Sequence, residues 1–472
     1  MAKAFVTGAN GFIGSHLVRE LLRRGYEVNG LVRHTSDISS LRGLPIALYT
    51  GDVREPETLV APMKGVDYVF HLAAELMVTS RDAFEEANTR GTLNVLEAAE
   101  AHAGNPLKRF LLVSSQAAAG PGQDPSPVDE TKTPDPISWY GSSKKQAEDA
   151  AHRFADRLPV TIVRPSSVYG EHERDISQVF GVVASRLHPI LGIRKKYVVM
   201  VYVGDLVRGI VDAAESGNTV GETYFLNHPE ALTSGDVVRT IAKAMGKPFG
   251  LPLPVPTFVI GLMAPLGELV YHVTRNRPQM TRDKAREVGQ RFWVADPSKA
   301  RRDFGWEANL SLLDGMKKTI PFFRAERARI KALEGEGGLM LWLKHIIVAM
   351  LIGTMIETTS KIGQFYTFDP LWGIIPTIIG MFGIGLGTVA MAFRKRSSLL
   401  AFMVGTVAAT GVEILNQFKL IPFFYWEFAE GWPLGITNPW VRSILLSLAA
   451  GVVVLLTSAV MRALYKRRLR LG

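Results

Sequence analysis

Cysteine is absent from all 472 residues. That excludes disulfide frameworks, Cys-ligated zinc, iron–sulfur clusters and thiol nucleophiles. Metal-ligand spacing is missing as well. The ten histidines form no HExxH pattern and no paired-ligand spacing, so no metal is expected, and His71 reads as a packing residue. Charged residues make up only 21% of the chain against 47% hydrophobic, too apolar a balance for a disordered protein. No signal-peptide pattern is seen at the start, because Lys3 to Thr7 reads as a strand and is too short for an apolar leader core. The net charge of +10 is a poor sign of nucleic acid once it is located. Residues 339–472 carry 12 Lys/Arg against 5 Asp/Glu and hold +7 of it, in the most apolar quarter of the chain. Basic flanks around apolar runs point to a bilayer.

The length allows two or three domains. From residue 1 to about 170, short apolar or β-branched runs at 4–7, 28–32, 46–50, 68–72, 110–114 and 161–163 alternate with helix-period stretches such as 12–24 and 88–102. That alternation predicts a parallel sheet covered on both faces. Residues 249–267 hold no charge, and prolines at 252, 254, 256 and 265 interrupt them. A surface helix dipping into a membrane interface is expected there, with a buried helix of a substrate lobe as the alternative. Residues 326–339 read as a linker. Beyond it lie four apolar stretches near 343–360, 371–393, 398–418 and 441–461, each about the length that crosses a bilayer. The clusters Arg394-Lys395-Arg396 and Lys466-Arg467-Arg468 place both connections, both termini and the N-terminal region in the cytoplasm. Glu357, Lys361, Glu413, Asn416 and Gln417 fall in or beside these spans and suit interhelical hydrogen bonds or a lipid or ion site.

Chemistry concentrates in the first 170 residues. Thr7-Gly8-Ala9-Asn10-Gly11-Phe12-Ile13-Gly14 follows the first strand and opens the first helix. Gly8 permits a tight turn, Gly11 lets a pyrophosphate approach the backbone, and Gly14 lets the helix pack on the sheet. The helix N-terminus then offers free N–H groups to phosphates. Residues 30–36 contain no acid for a ribose 2′-hydroxyl, and Arg33 suits a 2′-phosphate instead, so NADP(H) is expected over NAD(H). Asp52 ends the third strand, where a carboxylate accepts from an adenine amino group. Tyr140 and Lys144, four apart at the start of a helical pattern, share a face. A phenol is a poor base at neutral pH, and the nearby ammonium is expected to lower its pKa. Tyr140 can then exchange a proton with a substrate oxygen while hydride moves. Ser114-Ser115 ends the fifth strand and can set a hydroxyl beside the same oxygen.

Together with HLAA at 71–74, NTRGTLNVLEAA at 88–99 and RPSSVYG at 164–170, these motifs resemble the extended short-chain dehydrogenase/reductase superfamily over about residues 1–325, in its NAD-dependent epimerase/dehydratase and 3β-hydroxysteroid dehydrogenase-like branch. The resemblance implies Ser115, Tyr140 and Lys144 as the catalytic trio. It implies that Lys144 also binds the nicotinamide ribose and that Asn88 supports the lysine. Gly8, Gly11, Phe12, Ile13, Gly14, Arg33, Asp52, Val53, Ala73 and Ala74 would line the cofactor, with Pro165 and Val168 near the nicotinamide. Gln116-Ala117 stand where sugar-nucleotide 4,6-dehydratases carry an acidic pair, which argues against that chemistry. The segment from Arg277-Pro278 to Asp303-Phe304-Gly305-Trp306 is similar to the C-terminal lobe of sterol-type, dihydroflavonol-reductase-like and hopanoid-associated relatives.

The sequence thus predicts an α/β protein: a Rossmann-type doubly wound parallel sheet with a small substrate lobe, mainly 171–325, then a linker and an all-α transmembrane four-helix bundle at 340–472. The expected activity is hydroxyl–ketone interconversion on a hydrophobic, membrane-associated lipid. A nucleotide-sugar epimerase or reductase serving envelope glycan synthesis is the first alternative. A non-enzymatic NADPH-binding sensor or assembly factor is the second. A bilayer is the expected partner, nucleic acid is not, and a homodimer is allowed for.

Overall fold

In the computed structural model, residues 1–325 are described, apart from 105, 174–179, 181–182, 184–186, 259, 262–263, 266–267, 269–270 and 272–279. The linker and the four apolar runs of the sequence reading lie outside the described residues. Among the described residues, no helix is long and apolar enough to cross a membrane.

The β-branched runs of the first 165 residues become β1 (Lys3–Thr7), β2 (Glu27–Val32), β3 (Ala47–Thr50), β4 (Tyr68–His71), β5 (Arg109–Val113) and β6 (Val160–Pro165). The intervening helices are α1 (Phe12–Arg23), α2 (Glu57–Met63), α3 (Arg81–Phe84), α4 (Gly91–His102), α5 (Gln116–Ala119) and α6 (Trp139–Arg153). Further strands are β7 (Ser167–Tyr169), β8 (Leu187–Leu191), β9 (Tyr197–Val198), β10 (Met200–Tyr202), β11 (Thr223–Leu226), β12 (Leu232–Thr233), β13 (Leu251–Val255) and β14 (Phe292–Trp293). With them come α7 (Val203–Glu215), α8 (Ser234–Ala244), α9 (Arg282–Gly289) and α10 (Ser298–Phe304).

Seven strands form one parallel sheet in the order β11-β6-β5-β4-β1-β2-β3. Successive residues of β5 face opposite sides. Leu111 and Val113 join the core under α1 and α7, whereas Phe110 and Leu112 join the core under α2, α4 and α6. A strand buried on both faces reads as a near-continuous apolar run, and residues 110–113 of β5 are apolar and buried, while the buried Arg109 at its start donates to Thr161 and to the Ser216 carbonyl. The strand order reverses between β1 and β4, and this opens a crevice at their carboxyl ends.

Two elements depart from the sequence reading. β11 and α7, in the region assigned mainly to the substrate lobe, return to the first sheet: α7 packs its Leu206, Ile210 and Val211 into the same core as α1. The uncharged run at 249–267 is not helical at its start. Residues 251–255 form strand β13 beside β8, and helix is found only at described positions from 257 onward. Alternating prolines at 252 and 254 cannot donate hydrogen bonds within a helix and are tolerated on an edge strand. The Asp303–Trp306 motif also finds its reason here. Gly305 takes a positive φ of 73° after α10, and Trp306 is buried with its indole N–H donated to the Asp205 carbonyl at 3.0 Å. The ring leaves no room for a side chain at Gly209, where a Cβ would lie 2.5 Å from Trp306 Nε1.

Candidate active site

One cavity of about 720 Å³ runs from the crevice into the second lobe. Its cofactor half begins at the glycine loop. Gly8 has φ 68°, and a Cβ on Gly14 would lie 2.0 Å from the Gly8 carbonyl oxygen, so α1 can start only where it does with glycine at both places. Gly11 is the N-cap of α1 and supplies no side-chain acceptor, so the first N–H groups of the helix face the cavity unsatisfied by a cap. Gly8, Gly11, Phe12, Ile13 and Gly14 all line this half, as do Val53, Ala73 and Ala74.

A buried relay fixes Ala73. The Thr7 hydroxyl accepts from the backbone N–H groups of Leu72 and Ala73 at 3.1 and 3.0 Å, so its own proton goes to His71 Nδ1 at 2.7 Å. The Thr92 hydroxyl donates to the Asn88 carbonyl at 2.6 Å, and it therefore accepts from His71 Nε2 at 2.9 Å. The hydrogen bonds thus assign the Nε2–H tautomer. Burial, with a smaller contribution from the Lys144 charge, pushes the His71 pKa down to about 3.

At the far end of this half, Arg33 donates to Glu75 Oε1 at 2.7 Å, and Ser36 accepts from the Arg33 backbone N–H at 3.1 Å. Arg33, Ser36 and Glu75 all line the cavity. Asp52 lines it too, but its carboxylate is bound by Arg54 at 2.9 and 2.7 Å, which holds it below the usual carboxylate range.

The trio converges where the two halves meet. Ser115 is the N-cap of α5, with its hydroxyl accepting from Ala117 N at 3.1 Å, and it lines the cavity with Tyr140, whose pKa its hydroxyl lowers. Tyr140 is the second residue of α6. The glycine that follows it lets α6 press against α5, since a Cβ on Gly141 would lie 2.5 Å from the Ala117 carbonyl oxygen. Lys144, one turn on, donates to the Val113 carbonyl at 2.7 Å. Burial lowers its pKa to about 8, with the Glu148 charge opposing. Glu148 is fully buried and accepts from Ser114 at 2.6 Å and from Arg164 at 2.8 and 2.7 Å.

Two expectations are corrected. The Tyr140 pKa is raised, not lowered: burial dominates, the Glu287 charge adds to it, and the Ser115 hydrogen bond only partly offsets both. Asn88 does not hold Lys144. Its amide donates to Ser143 Oγ at 2.9 Å and to the Glu75 carbonyl at 3.1 Å, while its oxygen accepts from Glu75 N at 2.7 Å. It ties the neighbour of the lysine to the Glu75 loop. Pro165 and Val168 line the cavity beyond the trio.

Sequence reasoning missed the second lobe's hold on the trio. Ser138, the N-cap of α6, donates to Glu287 Oε1 at 2.6 Å, and Asp283 accepts from the backbone N–H groups of Trp139 and Tyr140 at 2.7 and 3.2 Å. Both carboxylates come from α9. The substrate half mixes apolar side chains, Leu76, Met77, Leu191, Val288 and Trp293, with polar ones that include Glu173, Ser234, Glu287 and Gln290. Among the described residues two cations reach it, and both are engaged. Lys196 donates to the carbonyls of Val288, Gly289 and Gln290 at the end of α9, and Lys284 pairs with Glu287 at 2.7 Å.

The residues present fit a dinucleotide. Besides the open N–H groups of α1, the Gln116 amide nitrogen and the Ser166 hydroxyl are buried and lack a partner in residues that line the cavity. Comparison with known proteins agrees. Residues 4–226 match the model of the "NAD dependent epimerase/dehydratase family". A ceramide reductase of Caulobacter vibrioides is 30% identical over 326 residues, which span 68% of this chain and 94% of that protein. The chain belongs to the NAD dependent epimerase/dehydratase family. It is an enzyme of that superfamily of nicotinamide-dependent reductases, dehydrogenases and epimerases. Another relative in the family is a 3-beta-hydroxysteroid dehydrogenase of Mycolicibacterium neoaurum, 28% identical over 345 residues, 68% of this chain and 92% of that one. The crystal structure of gox2253 superposes with a TM-score of 0.57 at 29% identity, covering 69% of this chain and 99% of that one.

Proposed function

We propose that this enzyme interconverts a hydroxyl and a ketone on a membrane-associated lipid of the sterol, terpenoid or hydroxyacyl kind, with NADP(H) preferred and NAD(H) as the alternative. The observation that carries this reading is the position of Ser115, Tyr140 and Lys144 between a glycine-lined half of one cavity and a half that presents Leu76, Met77, Leu191, Val288 and Trp293. A bound nicotinamide would supply hydride acceptance or donation. The protein's own residues manage the proton. Tyr140 exchanges it with the substrate oxygen, Ser115 offers that oxygen a hydrogen bond, and Lys144 sets positive charge beneath the pair. Burial and the Glu287 charge favour the phenol form of Tyr140, the form that donates to a ketone oxygen.

The relatives named for a ceramide and a steroid support an apolar substrate. So does the engagement of Lys196 and Lys284, the two cations that the described residues bring to the substrate half. The apolar runs beyond residue 340 would tether the catalytic domain, with both termini on the cytoplasmic side.

Tyr140→Phe tests the mechanism. General acid–base catalysis contributes roughly 10²–10⁴-fold, so turnover should fall by at least about 100-fold while dinucleotide still binds. Lipid and polar-metabolite profiles of cells lacking the protein, complemented with wild type or Tyr140→Phe, should show one hydroxy/keto lipid pair, two hydrogens apart, that follows Tyr140. Wild-type turnover in the variant would sink the proton role. The family description favours one second reading, a nucleotide-sugar epimerase or reductase. Thermal stabilisation by a uridine or thymidine diphosphate sugar, with an altered sugar-nucleotide pool and unchanged lipids, would select it.

A further inference from the structure

Nine large apolar side chains are exposed among the described residues, and five of them lie in one place. These are Leu191 (40% exposed), Ile193 (78%), Leu251 (67%), Leu253 (49%) and Phe258 (66%). The ladder brings Leu191, Leu251 and Leu253 together, and Ile193 and Phe258 follow shortly after the ends of its two strands. β13 runs parallel to β8 with Val255 opposite Leu191, and Gly192 N donates to the Val255 carbonyl at 2.8 Å. Residues opposite one another in a ladder point to the same side and alternate along each strand. Leu251, Leu253, Val255 and Leu191 therefore form one face, with Leu251, Leu253 and Leu191 exposed and Val255 half-buried. On the other face the β8 residues are covered: His188 is buried with its ring 4.9 Å from that of Phe249, and Ile190 packs on α8 beside Gly235, while Pro252 and Pro254 of β13 are exposed.

Beyond β8 the chain turns sharply at Gly192, with φ 84°, and presents Ile193 followed by Arg194 and Lys195, all exposed. An apolar tip backed by two cations is complementary to an anionic headgroup layer over a hydrocarbon interior. We propose that this face, from Leu251 to Phe258 with the Ile193–Lys195 tip, docks on an anionic lipid bilayer and sets the mouth of the substrate half at that surface. Leu191 supplies the continuity, since it belongs to the exposed face and also lines the cavity. An apolar substrate would pass from bilayer to Tyr140 along side chains, without crossing water. This inference rests on the lipid reading of the substrate half and adds the route by which such a substrate arrives.

The absence of cysteine makes the test direct in the full chain. Ile193→Cys, Phe258→Cys and, as a reference on the exposed turn before β3, Arg42→Cys are each labelled with bimane and reconstituted in phosphatidylcholine vesicles with and without phosphatidylglycerol. Retained dinucleotide binding shows that each variant is folded. Labels at 193 and 258 should lose fluorescence to brominated lipid, more so with phosphatidylglycerol, and the label at 42 should lose it only to aqueous iodide. Arg194→Glu with Lys195→Glu should weaken the bromolipid quenching. Labels at 193 and 258 quenched by iodide alone would overturn the proposal. Shielding from both quenchers would also overturn it, by showing a protein cover, whether from this chain or a second copy. Unchanged quenching after charge reversal would remove the anionic-lipid assignment. None of these readouts uses turnover, so the docking can fail while the Tyr140 test succeeds, and the reverse.

Discussion

His71 shows how a residue without catalytic duty is constrained by the site. Both of its ring nitrogens are engaged, one by Thr7 and one by Thr92, and burial keeps the ring neutral with a pKa of about 3. An unfolded histidine titrates near about 6.5. Between these values the unfolded chain binds more protons, so stability falls as pH drops through the window, by about 1.4 kcal/mol per pH unit, and is unaffected above it. Melting temperature against pH should show this slope, and His71→Gln should lose most of it while starting less stable at pH 7. The opposite sign applies to charge at Lys144. Its ammonium is lost as pH rises through about 8, so turnover that depends on that charge should decline between about pH 7 and 9, a limb absent from Lys144→Met because its activity is already low. At the cofactor's far end, Glu75 occupies the guanidinium that a 2′-phosphate would need. An exposed ion pair is worth about 0–1 kcal/mol, so Glu75→Gln should tighten NADPH over NADH by no more than about fivefold. Arg33→Asp should turn the preference toward NADH. Equal dissociation constants for both cofactors in both variants would show that Arg33 does not read the phosphate.

Among the elements, α6 carries the most consequence. Its N-terminus is held by its own Ser138 and by Asp283 and Glu287 of α9, so Tyr140, the proposed proton donor, is oriented in part by the helix that also lines the substrate half. Capping side chains contribute about 0.5–2 kcal/mol, and Asp283→Asn should lower stability within that range. It should reduce kcat more than it raises the KM for dinucleotide, because the glycine loop is untouched. Glu287→Gln removes a negative charge that raises the Tyr140 pKa, so the pH profile for the oxidative direction should move to lower pH. The strands and helices of the cofactor half were legible because a doubly covered sheet demands continuous apolar runs, and α1 begins at Phe12 as its glycine loop requires. Asp283 and Glu287 were not legible. They lie 144 and 149 residues from their partners, and nothing local marks an acid in a polar helix as a cap for another helix. The strand at 251–255 was misread because an uncharged run has the same composition in either conformation, and only its pairing with β8 decides between them.

At the scale of the molecule, the cavity lies between two parts of one chain that repeatedly cross. β6 and β11 belong to the large sheet, the segments between and after them build the substrate side, and Val128 bridges to Ala295 across that divide. The class of fold and the nicotinamide dependence could be read from motifs that act locally, and the same motifs name Ser115, Tyr140 and Lys144, which line one cavity. The shape of the substrate half could not, because Leu76, Leu191 and the pair Val288 and Trp293 come from three distant segments. The late arrival of β11 bears on synthesis of the protein on the ribosome. The edge of β6, Val160–Pro165, finds its partner only when Thr223–Leu226 has emerged. Until then β6 is paired only with β5, and its other edge stands open to another nascent chain. A pause in translation between these two segments should therefore raise aggregation, whereas a pause after residue 226 should not.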